Sequence, residues 1–163
     1  MARLFRPLPL TLALYQPDIP QNAGTMLRSA ACLGASAAIV EPAAFPTSDR
    51  HFRRAGMDYL DALAIERHVS WRAFEAWRAQ ARRRLVLLTT AGETSLWDFA
   101  FRPGDVLMVG RESAGAPQEV HAAAEARVII PIAPALRSLN VAAAAAMALG
   151  EAARQLFETG GTG

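Results

Sequence analysis

Three apolar runs in the second half of the chain each end in a loop of glycine, proline or polar residues. Ligands of open parallel sheets bind beyond the carboxyl ends of the strands, so these loops could share one site. Their glycines allow close backbone approach to a ligand, and the apolar strand ends could hold a flat aromatic group. The loops cover residues 87–92, 108–115 and 130–140. Spacing alone leaves open a nucleoside-type ligand or ordinary turns.

The loop at residues 130–140 carries the most informative pattern. Pro131 ends an apolar run, and Pro134 keeps the next segment extended or turned, because proline fixes its own φ and restricts the preceding residue. Ser138 and Asn140 then stand where an alanine-rich helix must begin, and both types are favoured helix caps. A strand end, a stiff loop and a polar helix start predict a pocket for a small ligand.

A second concentration of polar groups lies near the amino end of the chain. Asn22 and Arg28 stand six residues apart with Gly24 between them. On a helix that starts near Asn22 the two side chains need not share a face. Taken alone, the pair is better explained as a helix cap with an unrelated surface arginine than as a functional site.

Composition excludes several chemistries. The chain has no lysine, which excludes a P-loop lysine, a Schiff base and a lysine general base. The planar fork of arginine suits phosphate recognition, although biased composition also explains the arginines. The only cysteine, Cys32, excludes an internal disulfide, and its small apolar neighbours predict a buried thiol. The three histidines show no ligand spacing, so no metal is expected.

Short apolar runs alternate with helical patterns, which predicts an α/β fold with a mostly parallel sheet covered by helices on both faces. Trp71, Phe74 and Trp77 recur at helical spacing and are expected to pack in the core. The expected strands cover residues 11–15, 37–40, 62–66, 85–88, 105–109 and 128–130. The expected helices start near Asn22, Ser48, Ser70, Pro117 and Asn140.

The length of 163 residues fits one domain. We expect an N-terminal arm at residues 1–10, a single domain at residues 11–157 and a mobile glycine-rich tail at residues 158–163. No apolar run reaches the roughly 18 residues of a membrane span. No signal-peptide pattern precedes the first strand, so a cytoplasmic location is expected.

The loops and the early polar pair together resemble the SPOUT class of RNA methyltransferases. The likeness is closest to the small tRNA (cytidine/uridine) 2′-O-methyltransferases that act at the wobble position. It covers residues 11–156, and the three motifs occur in the family's order. The matching motifs are residues 22–28, 110–117 and 130–140, with further matching stretches at residues 14–20, 53–59, 88–90 and 151–155.

The resemblance implies a C-terminal segment threaded into a trefoil knot, which builds a pocket for S-adenosylmethionine. The product is then S-adenosylhomocysteine, and no metal is needed. All the implied cofactor-binding residues lie on the three loops described above. They are Leu88, Gly110, Ile130, Ser138 and Leu139.

The resemblance also implies roles in catalysis. Arg28 would lie at the ribose hydroxyl, with Asn22 and Ser138 orienting the reacting groups and Asn140 holding its loop. Glu112 would support Arg28 or the substrate. A guanidinium normally stays protonated, so Arg28 could instead lower the pKa of the hydroxyl while Glu112 or a phosphate takes the proton. The identity of the base stays open.

The partners implied are a tRNA anticodon stem-loop and a second copy of the chain, with each active site using both subunits. Arg50, Arg53 and Arg54 form a basic cluster expected to contact RNA phosphates. Residues 82–84 form a second arginine cluster, for which RNA contact and a solvated face are equally consistent.

Two features separate this chain from the family pattern. After Asn140 the helix is built of alanines where bulkier aliphatic residues are common, and Gly150 replaces a usual aromatic residue. A non-catalytic SPOUT-like RNA-binding protein is therefore the alternative function. An ordinary dinucleotide-binding enzyme is disfavoured because the chain lacks the G-x-G-x-x-G fingerprint.

Overall fold

A computed structural model describes residues 5–159 of the chain, and the side chains of residues 5–157. Within that range one seven-stranded sheet has the order β3-β2-β1-β6-β4-β7-β5, and each pair of neighbouring strands is parallel. The strands are β1 (Thr11–Tyr15), β2 (Ser36–Val40), β3 (Ile65–His68), β4 (Leu85–Leu88), β5 (Thr94–Ser95), β6 (Val106–Val109) and β7 (Ala126–Ile129). The helices are α1 (Pro20–Leu33), α2 (Arg50–Gly56), α3 (Tyr59–Ala62), α4 (Trp71–Ala81), α5 (Gln118–Ala123) and α6 (Val141–Thr159).

Helices cover both faces of this sheet, which confirms the predicted α/β class. Along β1, Leu12 and Leu14 point into one core with α1 and α6, while Ala13 and Tyr15 point into a second core with α4 and α5. This alternation follows from the two-residue period of a strand. The fully buried Phe74 anchors α4 in the second core, as its helical spacing predicted.

The strand order brings the ends of three strands together. β7 lies between β4 and β5, although β5 directly follows β4 along the chain. The carboxyl ends of β6, β4 and β7 are therefore neighbours at one edge of the sheet. The implied trefoil knot stays a prediction.

Helix α1 begins two residues before the expected cap. Pro20 occupies its first turn, where a missing N–H costs nothing, and Gly34 ends it with a φ of 69° as expected. Gly24 lets α2 pack closely, because a Cβ there would lie 2.5 Å from the backbone oxygen of Phe52. The arginine-bearing α2 is thus held against the start of α1.

Several local predictions were wrong. The strand expected at residues 62–66 begins later, because Ala62 closes the short helix α3 and β3 covers Ile65–His68. Asp49, not Ser48, caps α2 by accepting the N–H groups of His51 and Phe52. The two-residue β5 was missed. Cys32 is exposed, because it lies on the solvent face of α1.

The segment before β1 is packed into the protein. Leu8 and Leu10 are both 2% exposed, and the Leu8 N–H donates to the Leu33 carbonyl at the end of α1. The last helix runs to Thr159, and the remainder of the expected tail, like residues 1–4, lies outside the described residues. No helix of the described chain is long and apolar enough to cross a membrane.

Candidate active site

A cavity of about 700 Å³ opens at the carboxyl edge of the sheet, where the loops after β4, β6 and β7 meet. Leu88 ends β4, Gly110 follows β6 and Ile130 follows β7, so the topology itself converges these three residues. Ser138 and Leu139 complete the wall from the segment before α6. All five residues expected to bind the cofactor therefore line one cavity.

Gly110 is required at its position. A Cβ there would lie 2.5 Å from the Ala116 nitrogen and 2.6 Å from the Gly115 carbonyl carbon. These distances are far below any van der Waals contact. The loop after β6 can therefore fold back on itself at the cavity wall only because residue 110 has no side chain.

Asn140 joins the last helix to the first. Its side-chain oxygen accepts the N–H groups of Ala142 at 2.9 Å and Ala143 at 3.1 Å, which caps α6. Its amide nitrogen donates to the Asn22 side-chain oxygen at 3.2 Å. Both asparagines line the cavity, so this contact fixes the loop at residues 130–140 against the start of α1.

The carboxyl group of Glu112 is buried at the cavity beside a second carboxyl group. Neither Glu112 oxygen makes a hydrogen bond of good geometry within the described residues, although the Asp18 carboxyl and the Asn22 amide lie nearby. Asp18 accepts the Glu112 N–H at 3.1 Å and the Ser113 hydroxyl. These bonds hold the two carboxyl groups together.

Burial and the neighbouring Asp18 raise the pKa of the Glu112 carboxyl to about 7. Hydrogen bonding from Glu112 and Ser113 lowers the pKa of Asp18 to about 2. Below neutral pH the pair therefore holds one proton, on Glu112, and it loses that proton near pH 7. A carboxyl group with a pKa near the working pH is suited to proton transfer.

Arg28 does not line the cavity of its own chain. Six residues along a helix turn it about 120° from Asn22. Its guanidinium instead donates to the Met57 sulfur at 3.1 Å and lies 5.1 Å from the centre of the Tyr59 ring. The other residues with expected catalytic roles, Asn22, Glu112, Ser138 and Asn140, all line the cavity.

Two cavity-lining residues, Arg111 and Thr89, were not among the predicted site residues. Arg111 lines the cavity and lies 5.6 Å from the centre of the Tyr15 ring. Thr89 also lines it and bonds to His121 Nε2 at 3.1 Å, while His121 Nδ1 bonds to the Pro117 carbonyl. A carbonyl only accepts, so Nδ1 carries a proton. The one sequence feature that could have marked Thr89 as a cavity residue is its position just after a strand.

The three arginines expected to bind RNA lie on α2. Arg53 pairs with Asp61 at 3.2 Å, and both side chains are largely exposed. Arg50 and Arg54 are exposed, and neither forms an ion pair with another described residue. The second cluster differs, because Arg84 pairs with the buried Asp105 at 2.7 Å and therefore supports the fold.

The cavity fits a nucleoside-type ligand. Its volume lies in the usual range for small-molecule sites, and apolar side chains alternate with a few polar ones along its wall. Among residues 5–157 there is no group of three or more side chains that could hold a metal ion.

Comparison with known proteins assigns this architecture to a family. Residues 9–150 match the model of the SpoU rRNA methylase family, which is most of the chain. The chain belongs to the SpoU rRNA methylase family. Its catalytic chemistry is methyl transfer from S-adenosylmethionine.

Curated SpoU relatives match nearly the whole chain. A protein of Beijerinckia indica is 68% identical over 145 residues, covering 89% of this chain and 91% of the relative. One of Escherichia coli is 39% identical over 149 residues, covering 90% and 94%. Both relatives are named tRNA (cytidine(34)-2′-O)-methyltransferase.

Solved SpoU structures share the fold. A protein described in work on 2-OH methylation of C/U34 on tRNA has a TM-score of 0.87 and 41% identity, covering 91% of this chain and 97% of that one. AviRb from Streptomyces viridochromogenes, solved with the cofactor AdoMet, has a TM-score of 0.86 and 30% identity. That match covers 94% of this chain and 62% of AviRb.

Proposed function

We propose that this enzyme transfers a methyl group from S-adenosylmethionine to the ribose 2′-oxygen of the wobble nucleotide, cytidine or uridine 34, of tRNA. The observation that carries the proposal is the convergence of Leu88, Gly110, Ile130, Ser138 and Leu139 on one cavity beside the buried Glu112. The 68% identity to a tRNA (cytidine(34)-2′-O)-methyltransferase supports the choice of substrate.

The proposed reaction needs little from the protein beyond positioning and proton transfer. When bound, S-adenosylmethionine supplies a sulfonium methyl group that a ribose oxygen can attack in line. The three loops hold the donor, and Asn22 and Ser138 orient the hydroxyl toward it. Aligning two reactants in this way accounts for a large part of such a rate enhancement.

Glu112 is the proposed acceptor of the hydroxyl proton. It is the titratable side chain at the cavity whose pKa lies near 7, and neither of its oxygens is committed to a well-formed hydrogen bond within the described chain. The Arg28 guanidinium stays protonated, so its proposed role is to lower the pKa of the hydroxyl electrostatically. Ionised Glu112 then removes the proton as the methyl group is transferred.

We propose that the active enzyme is a homodimer in which Arg28 serves the cavity of the partner copy. Arg28 is exposed on α1 and turned away from its own cavity. The adjacent α6 exposes a stripe of small or apolar residues on one face. The stripe consists of Ala143, Ala146, Met147 and Gly150. A flat apolar stripe of this kind allows close helix packing, which supports the proposed dimer.

The proposed RNA partner is the anticodon stem-loop of tRNA. Arg50 and Arg54 project from α2 without acidic partners among the described residues, as phosphate-binding arginines should. Helix α2 packs against α1 at Gly24, two residues after the cavity-lining Asn22, so the helix that carries these arginines lies near the cavity. We expect the enzyme to act in the cytoplasm, where it would meet tRNA.

The test is to incubate the purified protein with unmodified tRNA and labelled S-adenosylmethionine, then map the label to a nucleotide. We expect label on the ribose of nucleotide 34. A matched tRNA with a 2′-deoxyribose at that nucleotide should accept none, since the attacking oxygen is missing. Label on a base, at another nucleotide, or equally on the deoxy substrate would refute the proposal.

A further inference from the structure

A second cavity, of about 450 Å³, lies at the opposite edge of the sheet from the active site. It borders the start of β4, so the length of the strands, about 13 Å or more, separates it from the first cavity. We call it the arginine cavity. Its lining residues are Arg78, Ala79, Arg82, Arg83, Arg84, Arg102 and Glu125.

Two of its five arginines are neutralised within the fold. Arg78 pairs with Glu75 and with Glu125, each at 2.8 Å. Arg84 forms two hydrogen bonds to the Asp105 carboxylate, at 2.9 and 2.7 Å. These ion pairs build the walls of the cavity. The guanidinium groups of the remaining three arginines, Arg82, Arg83 and Arg102, have no carboxylate partner among the described residues.

One of these three guanidinium groups is held in place by other contacts. Arg83 lies 5.4 Å from the centre of the Trp77 ring and donates to the Thr11 hydroxyl at 3.2 Å. A guanidinium held in this way loses less conformational entropy when it binds an anion. The backbone N–H of Arg102 donates to Asp105 at 2.8 Å, which fixes the turn but leaves the side chain exposed.

Arg82 occupies a backbone conformation that usually belongs to glycine. It ends α4 with a φ of 54° and a ψ of 44°, in the left-handed region. A side chain there costs about 1 kcal/mol relative to glycine. No hydrogen bond or ion pair of the Arg82 side chain within the described residues offsets that cost, so the residue has no structural explanation in the isolated chain.

We infer that the arginine cavity binds backbone phosphates of tRNA outside the anticodon stem-loop, an inference that rests on the proposed function. Arginine pairs with phosphate through two parallel N–H bonds, and three unpaired arginines around one depression match a phosphodiester chain. The nucleotide to be methylated enters at the other edge of the sheet. The two cavities lie at opposite ends of the strands, so an RNA that contacts both must run around the outside of the protein, which favours a contact beyond the stem-loop.

The experiment compares two RNAs on one variant. The Arg82→Ala, Arg102→Ala double variant removes two exposed side chains that take part in no ion pair among the described residues. We expect its Kd for full-length tRNA to rise about tenfold. The slope of log Kd against log salt concentration should fall by the equivalent of about two phosphate contacts. The Kd for the isolated anticodon stem-loop of the same tRNA should not change.

Arg72→Ala is the matched control, because Arg72 is an exposed arginine of α4 outside the arginine cavity. It should leave the ratio of the Kd for full-length tRNA to the Kd for the isolated stem-loop at the wild-type level. The inference is wrong if the double variant weakens both RNAs equally, weakens neither, or changes the ratio no more than Arg72→Ala does. Failure of the proposed function is a separate result, namely wild-type protein that methylates neither RNA.

Discussion

At the scale of single residues, the proposed proton transfer depends on the carboxyl pair of Glu112 and Asp18. Placing two carboxyl groups side by side is costly for a folded protein, since they cannot both ionise cheaply. The arrangement becomes useful when one of them must gain and lose a proton near neutral pH. The sequence pointed to Glu112 through its motif, but Asp18 lies 94 residues away along the chain and only the fold brings the two together.

Replacing Asp18 tests this pairing through the pH dependence of kcat. Glu112 must be ionised to accept a proton, so activity should fall about tenfold per pH unit below its pKa of about 7. Asp18→Asn removes the neighbouring charge, which lowers the pKa of Glu112 and moves this acidic limb to lower pH by about one unit. Asp98→Asn, at an exposed carboxyl group, is the control and should leave the profile in place. An unmoved limb in Asp18→Asn would contradict the pairing.

Glu112→Gln tests the acceptor itself. We expect kcat to fall by about 10²-fold or more and the acidic limb to disappear, because glutamine cannot take a proton. Binding of the donor, measured by calorimetry, should change little. Wild-type turnover in this variant would assign the proton to another group.

Gly110→Ala tests the cavity wall. The added methyl group would lie 2.5 Å from the Ala116 nitrogen, so the loop must move and donor affinity should fall about tenfold or more. Gly104→Ala is the control, since its Cβ meets nothing within 4 Å but its φ of 88° disfavours a side chain. The control should lose stability, by about 1 kcal/mol, and keep its donor affinity. Equal donor affinity in the two variants would mean that the Gly110 loop does not contact the donor.

At the scale of elements, the cap of α6 couples fold to site. Asn140 satisfies backbone groups of α6 and also holds Asn22 of α1. A serine at residue 140 can still cap a helix but cannot reach Asn22, whereas an alanine does neither. The two variants therefore separate stability from positioning.

We expect Asn140→Ala to lower the free energy of unfolding by about 1 kcal/mol and Asn140→Ser to lower it less. Both should reduce kcat/KM, because each loses the bond to Asn22. Chemical denaturation and initial-rate measurements check the two effects. Full activity in Asn140→Ser would show that the cap alone is needed.

Most elements could be read from the sequence because strong apolar runs and caps mark them. The start of β4 and the end of α1 at Gly34 are examples. The errors arose where the signal was weak. β5 has only two residues, too few for any periodicity, and the apolar residues 62–65 serve both α3 and β3. The exposure of Cys32 depended on which face of α1 meets α6, which composition does not reveal.

At the scale of the whole molecule, the alanine-rich stretch of α6 acquires an explanation. Ala142, Ala145 and Ala148 pack in the core, while Ala143 and Ala146 face outward. The outward face has no structural role in the isolated chain but suits a close helix contact with a second copy. In the proposed dimer, these departures from the family pattern would allow the helices to pack more closely.

Ala146→Glu should disrupt that interface. The exposed position tolerates glutamate in a single chain, so the thermal stability of the monomer should be unchanged. In the dimer a buried charge without a partner is costly, so light scattering should detect monomers and methyl transfer should fall sharply. Ala76→Glu, on the exposed face of α4, is the control and should remain dimeric and active. A dimeric, active Ala146→Glu would place the interface elsewhere.

Subunit complementation tests most directly whether the cavity of one copy works with Arg28 of the other copy. The Arg28→Ala and Glu112→Gln variants, each expected to be inactive alone, carry two different tags. They are co-expressed, and mixed dimers are purified through both tags. A mixed dimer contains one complete site, so it should recover about half of wild-type activity, and random mixtures about a quarter. Mixed dimers as inactive as both parents would show that Arg28 and Glu112 must belong to the same chain, which would contradict the shared site.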